Sequence, residues 1–240
     1  MNALTHSYDR AGAPLMVLED LSLDIGTGQM LAVVGPSGCG KTTLLELICG
    51  LQQPDRGTVI CEPAVLMPQR DLLMPWLCAL DNAALALRVA GHSRGQARRQ
   101  AGSLFAGLGL AGFEQARPHE LSGGMRQRVA FLRTLLSGKG LLCLDEPFGA
   151  LDAITRLQMH RWLIDALRQE PRTVVLVTHD VEEAILLADR LVVLASRPGH
   201  VTGEFDVDLP HPRAHTDPDV VALRERALRS LGLGESEPVQ

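Results

Sequence analysis

Apolar and polar positions change rhythm repeatedly along this chain. In LSLDIG, Leu21, Leu23 and Ile25 alternate with Ser22 and Asp24, the period of two of a half-buried strand, and Gly26 and Gly28 end it. Met30 to Val34 is an unbroken apolar run halted by Gly35, as in a central strand covered on both faces. From Thr42 the period lengthens, and Leu44, Leu45, Ile48 and Leu51 fall on one side of a predicted helix with Gly50 near its C-terminus. Pro54-Asp55-Arg56-Gly57 predicts a turn, and Thr58 to Cys61 a strand.

From about residue 70 to 135 the chain is rich in Leu and Ala, carries Arg-heavy stretches such as SRGQARRQ, and lacks β-branched runs, so an inserted helical part is expected there. Alternation then returns: strand Leu141–Leu144, helix around Arg156–Gln169, strand Thr173–Val177, helix Val181–Ala188 and strand Leu191–Leu194. Asp180 followed by Glu183 fits a capping box at the start of the last of these helices. Strands alternating with helices predict an α/β fold with a mostly parallel sheet, flanking helices and right-handed crossovers. Beyond Pro210, Pro212 and Pro218, the residues Val220, Leu223, Ala227 and Leu231 form one helical stripe, read as packing on its own domain or as a partner surface.

Composition narrows the classes. The 240 residues suit one large domain, and a net charge of −5 lacks the basic excess of a general nucleic-acid binder. Cys39, Cys49, Cys61, Cys78 and Cys143 are scattered with no C-x-x-C pair, so they are expected to be buried, reduced thiols rather than a zinc or redox site. The first residues show no basic stretch leading into an apolar one, so no signal peptide is expected, and no apolar run reaches the length of a membrane span.

The chemistry starts at Gly35-Pro36-Ser37-Gly38-Cys39-Gly40-Lys41-Thr42, which fits G-x-x-x-x-G-K-[ST] between an apolar strand and a helix start. Its glycines let successive N–H groups turn inward around phosphates, and the helix dipole adds positive potential. Lys41 is expected to reach the β- and γ-phosphates, and the Thr42 hydroxyl to coordinate Mg²⁺, with Thr43 following in the first turn. Further on, Leu141-Leu142-Cys143-Leu144 delivers Asp145 and Glu146 to the C-terminal edge of a buried strand. Asp145 is expected to hold Mg²⁺ through water, and Glu146 to polarise an attacking water.

Leu121-Ser122-Gly123-Gly124-Met125 precedes that strand, with Ser122 a good N-cap and Met125, Val129, Leu132 and Leu136 an apolar stripe. This run resembles the LSGGQ-type signature of ABC ATPases, and the other elements of that family occur in order: Gln69 in MPQ, Ala150-Leu151-Asp152, and His179 in VTHD. The resemblance spans about residues 4 to 200. It implies a P-loop NTPase core with an N-terminal antiparallel β subdomain and an inserted helical subdomain. In numbers, the core and β subdomain would occupy 4–69 and 136–205, the helical subdomain 70–135 and a tail 206–240, all within one ATP-binding domain over 1–240.

By the same resemblance, Ser122, Gly123, Gly124 and Asp152 meet ATP held by an opposite subunit, so two copies, or two paired cassettes, must join head-to-tail. His179 on its own reads as a core histidine, and in the family frame it contacts the γ-phosphate and attacking water. Gln69 senses Mg²⁺ and joins the helical part to the core. Tyr8, 27 residues before Gly35, either packs as a strand tyrosine or stacks on adenine. Trp162 reads as helix packing. The apolar cluster Leu72, Leu73, Met74 and Trp76 lies where such cassettes receive a permease's coupling helix, although core packing competes for these residues. Met125 in place of Gln, the Pro-Trp after Gln69, and the Arg197-Pro198-Gly199 and VDLPHPR stretches resemble the nitrate, sulfonate and taurine importer group, which includes carriers of thiamine-precursor pyrimidines.

The resemblance therefore implies an importer's ATPase subunit, peripheral on the cytoplasmic face of the inner membrane, using ATP and Mg²⁺ and served indirectly by a solute-binding protein. It implies no nucleic-acid partner. The alternatives are a soluble cassette ATPase working on a macromolecule, or an exporter ATPase. With the sequence ending at residue 240, the long C-terminal regulatory domain of sugar-importer ATPases is not expected.

Overall fold

The computed structural model describes residues 1–10, 12–195 and 197–232. Strands β1 (Asn2–Arg10), β2 (Ala13–Leu21) and β3 (Met30–Val34) lead into helix α1 (Lys41–Ile48), followed by β4 (Arg56–Thr58) and β5 (Ala64–Met67). Helices α2 (Ala79–Ala83), α3 (Leu85–Val89), α4 (Arg94–Gly102) and α5 (Gly123–Leu135) come next, then β6 (Leu141–Asp145) and α6 (Ala153–Gln169). The described chain closes with β7 (Thr173–Thr178), α7 (Val181–Leu187), β8 (Arg190–Leu194), β9 (Val201–Asp206) and α8 (Pro218–Ser230). Two compact units result: Met1–Glu62 with the described residues from Arg172 onward, and Pro63–Pro171.

In the first unit β3 lies between β7 and β8, parallel to both, and β9 adds an antiparallel edge to β8. Every residue of β3 is buried, which is why its sequence is an apolar run without alternation. A separate antiparallel sheet has the order β2-β1-β4. Helix α8 packs on α7 and β9 through Val220, Leu223 and Ala227, so the C-terminal stripe covers its own domain. Asp180 caps α7 by accepting from the N–H groups of Glu182 and Glu183.

In the second unit β5 and β6 form a parallel pair, and β6 is buried throughout. The helices α2 to α5 fall where the composition predicted a helical part. Phe131 of α5 meets Trp162 of α6 and Phe148 edge-to-face, each at 5.8 Å, so Trp162 packs between helices.

Four expectations need correction. LSLDIG is not one strand: β2 ends at Leu21, and Leu23 is buried in a segment held by its N–H donating to Met1 O. The strand expected at Thr58–Cys61 is instead Arg56–Thr58, and Ile60 is exposed, because only the start of that segment pairs with β1. Leu51 is exposed because α1 ends at Ile48, so the helical period no longer applies to it. Of the five thiols only Cys39 and Cys143 are buried; Cys61 is exposed.

Candidate functional site

In the first unit β3 delivers Gly35 to the C-terminal edge of its sheet. A Cβ at Gly35 would stand 2.8 Å from both Cys39 Sγ and Leu194 O, so only glycine fits. Gly38 and Gly40 have φ of +78° and +100°, which bend the loop as phosphate cradling demands. Gly40 is also the N-cap of α1 and has no side chain to close that helix end. Lys41 is 7% exposed, and its Nζ donates to Gly35 O at 2.7 Å and Pro36 O at 3.0 Å. The ammonium therefore points into the loop, held by neutral carbonyls. Burial pushes the Cys39 thiol up, against the opposing charge of Lys41, so a second charge is kept out of the loop. Thr42 is exposed and Thr43 buried.

Register places His179 nearby. Val34 pairs with Thr178, so Gly35 and His179 each follow one member of the same parallel pair. His179 is exposed rather than a core histidine. Tyr8 is half-buried, meets His6 edge-on at 5.0 Å, and its hydroxyl bonds Thr43 Oγ1 at 3.2 Å.

In the second unit the same logic brings Gln69 to Glu146. Met67 pairs with Leu144, each residue of interest lies two positions further on, and Gln69 Nε2 donates to Glu146 Oε2 at 2.9 Å. Asp145, 4% exposed, ends the buried strand. Glu146 has φ +46°, a left-handed backbone rare for a residue with a Cβ, and its carbonyl accepts from Gly149 N–H.

Ser122 caps α5 by accepting from Met125 N–H at 3.2 Å, and Ser122 and Gly123 are exposed. A Cβ at Gly124 would stand 3.1 Å from Leu151 Cδ2, so the signature start and the Ala150-Leu151-Asp152 stretch are neighbours. Asp152 caps α6, accepting from Thr155 N–H at 3.0 Å and Thr155 Oγ1 at 2.7 Å, and these bonds hold its carboxyl below the usual range.

The cluster after Gln69 divides. Trp76 and Leu72 are 70% and 54% exposed, Met74 is half-buried, and Leu73 is buried. Leu72 has φ +44°, and its turn is pinned from α5: Arg133 donates to Leu72 O at 3.0 Å and Asp71 O at 2.8 Å, while Arg126 bonds Asp71 at 3.0 Å. Burial pushes the Arg133 guanidinium down, against the opposing charge of Asp71.

Sequence reasoning missed two features. Nothing in the sequence singles out Arg126 and Arg133, because the Asp71 carboxylate that Arg126 bonds and the Asp71 and Leu72 carbonyls that Arg133 bonds lie 55 to 62 positions away. Arg197-Pro198-Gly199 was read only as a subgroup resemblance. Arg197 Nε donates to Gly38 O at 3.1 Å, and a Cβ at Gly199 would stand 2.0 Å from Cys39 O, so this turn braces the phosphate loop. The glycine after Pro198 was the available signal.

A sequence model of the ABC transporter family matches residues 18–149, more than half of the chain. This chain belongs to the ABC transporter family. The cassette is 46% identical over 197 residues to the formylaminopyrimidine import ATP-binding protein ThiZ of Halalkalibacterium halodurans, covering 81% of this chain and 78% of that protein. It is 44% identical to an aliphatic sulfonates import ATP-binding protein SsuB of Paracoccus denitrificans (93% and 91% covered) and 43% identical to the taurine import ATP-binding protein TauB of Burkholderia pseudomallei (87% and 84%). Among solved structures, a dimeric post-hydrolysis state of the ATP-binding cassette MJ0796 bound to ADP and Pi superposes with a TM-score of 0.80 at 27% identity, covering 87% of this chain and 98% of that one. The cassette has the ABC ATPase fold and is an ATPase of that family. Among its described residues no helix is long and apolar enough to cross a membrane.

Proposed function

We propose that this cassette is the ATP-hydrolysing subunit of an ABC importer for a small solute of the sulfonate, taurine, nitrate or thiamine-precursor pyrimidine class. The geometry at Glu146 carries the catalytic part. A strained backbone and the Gln69 amide together fix a carboxylate just beyond a buried Asp145, the preorganisation expected of a residue that orients a water. The import names of relatives at 43–46% identity support the transport part and do not favour the macromolecular or exporter alternatives.

The residues fit a nucleotide. The glycine loop and the inward Lys41 ammonium suit phosphates, the ammonium exchanging loop carbonyls for phosphate oxygens. Thr42, Gln69 and Asp145 are hard oxygen donors suited to Mg²⁺, which when bound neutralises charge on the phosphates. Tyr8 offers a ring for adenine, and His179 an exposed imidazole toward the γ-phosphate and water. Ser122, Gly123 and Gly124, with Asp152 nearby, face the nucleotide of a second copy, so ATP favours the closed pair. Through the exposed surface ending at Trp76 the cassette meets a permease on the cytoplasmic face of the membrane, with a solute-binding protein acting on the other side.

Two measurements test this. Glu146→Gln is expected to keep Mg-ATP affinity while turnover falls about 10²–10⁴-fold, the range removed with a positioned base. Turnover near the wild-type rate takes Glu146 out of the chemistry. Trp76→Cys is expected to crosslink to a cytoplasmic helix of the co-expressed permease; crosslinking from Val89→Cys instead moves the docking surface.

A further inference from the structure

We infer that Gln52, held by Glu46, is a positioning residue that sets the Tyr8 ring for adenine, tying the base platform to the helix that follows the phosphate loop. The inference rests on the base-stacking reading of Tyr8 given above and adds the groups that orient it.

Helix α1 ends in a Schellman turn. Gly50, at φ +67°, donates to Leu47 O at 3.1 Å, and Leu51 donates to Glu46 O at 2.9 Å. That turn folds the chain back, so that Gln52 returns to the helix side bearing Thr43 and Glu46, which are one turn apart. Gln52 Nε2 lies 2.6 Å from Glu46 Oε2 and 2.7 Å from the Tyr8 hydroxyl. Tyr8, the chain's only tyrosine, comes from β1, far away in sequence.

Donor counting fixes the direction of both bonds made by Gln52. A carboxylate only accepts, so the Gln52 amide must turn its NH₂ toward Glu46, and the amide orientation is not free. Its second hydrogen goes to the Tyr8 oxygen. The Tyr8 hydroxyl also shares a hydrogen bond with the Thr43 hydroxyl at 3.2 Å, in which either oxygen can donate. Gln52 thus donates to both Glu46 and Tyr8, and Tyr8 is tied in turn to Thr43. Thr43 is buried in the first turn of α1, two residues after Lys41, so one end of the relay sits beside the phosphate loop and the other holds an aromatic ring. On the ring side, His6, itself 7% exposed, meets Tyr8 at an interplanar angle of 90°. Hydroxyl and ring are therefore both constrained, and a stacking platform works by being held before its ligand arrives.

The test compares ATP with inorganic tripolyphosphate, which offers phosphates and no base. Gln52→Leu is expected to raise the ATP KM and Kd about 3–10-fold, the worth of a hydrogen bond, with kcat unchanged and tripolyphosphate affinity unchanged. Tyr8→Phe is expected to have a similar effect, and adding Gln52→Leu to Tyr8→Phe is expected to change nothing further, because both act through one hydroxyl. Gln52→Met, which keeps volume, guards against loss of packing and is expected to behave as Gln52→Leu. Equal weakening of ATP and tripolyphosphate, or additive effects in the double variant, overturns the inference. If Tyr8→Ala weakens ATP selectively while Gln52→Leu does not, the positioning role fails and the stacking reading stands. If Tyr8→Ala leaves the ATP-to-tripolyphosphate ratio unchanged, the stacking reading falls and takes this inference with it.

Discussion

Glu146 adopts φ +46°, a conformation that costs a residue with a Cβ about 1–2 kcal/mol. Glycine removes that cost but adds about 0.5–1 kcal/mol of unfolded-state entropy, so Glu146→Gly is expected to be as stable as the wild type or slightly more so. Its hydrolysis is expected to be lost all the same. A clear drop in melting temperature would show that the Gln69 contact outweighs the strain. Asp81 shows a second residue-scale effect. Burial pushes its carboxyl up, but hydrogen bonds from Arg98, Arg94 and Cys78 outweigh that and hold it below its ordinary 3.8. A depressed folded value means the stabilisation is complete above about pH 4 and is lost as pH falls through the folded value. Asp81→Asn is therefore expected to cost about 1–2 kcal/mol at pH 7, with the gap between variant and wild type closing in acid below pH 4. A gap independent of pH places the effect in packing rather than charge.

Among the elements, those buried on both faces were the legible ones: Met30–Val34 and the strand ending at Asp145 carry apolar runs that no surface segment sustains. The bounds of β1 could not be read from periodicity, because its inward positions include His6 as well as Leu4, which breaks the apolar alternation. β9, an edge strand with a half-buried and exposed alternation and a glycine at its centre, gave too little contrast. LSLDIG misled in the other direction, since alternation reports burial and not ladder pairing. The Arg197-Pro198-Gly199 turn between β8 and β9 was invisible as a structural device because its partners are distant: Gly199 donates to Val17 O at 2.8 Å and accepts from Glu19 N–H at 3.2 Å. With Cys39 O so close, Gly199→Ala must displace the phosphate loop or the turn. We expect about 1–3 kcal/mol of lost stability together with weaker Mg-ATP binding. Unaltered ATP affinity at reduced stability would confine the brace to folding.

Across the whole molecule, motif order was readable while the connections between motifs were not. Lys41, Asp145, Glu146 and Ser122 stand out because their chemistry needs fixed residue types at fixed spacing. Gln52, Arg133 and Arg197 do not, because each acts through bonds made across the fold. On the proposed head-to-tail pairing, each nucleotide takes its Lys41 from one copy and its Ser122 from the other. Lys41→Ala and Ser122→Arg are therefore each expected to be inactive alone. In a mixed dimer the two lesions fall on the same nucleotide, and the second site keeps an intact Lys41 from one chain and an intact Ser122 from the other. Random mixing makes half of the dimers mixed, so about a quarter of wild-type ATPase activity should return if the sites act independently. Strictly coupled sites would return less, but an ATP-dependent dimer should still form from the mixture and from neither variant alone. No recovery of turnover and no mixed dimer would place Lys41 and Ser122 on separate tasks and remove the second copy from the reaction.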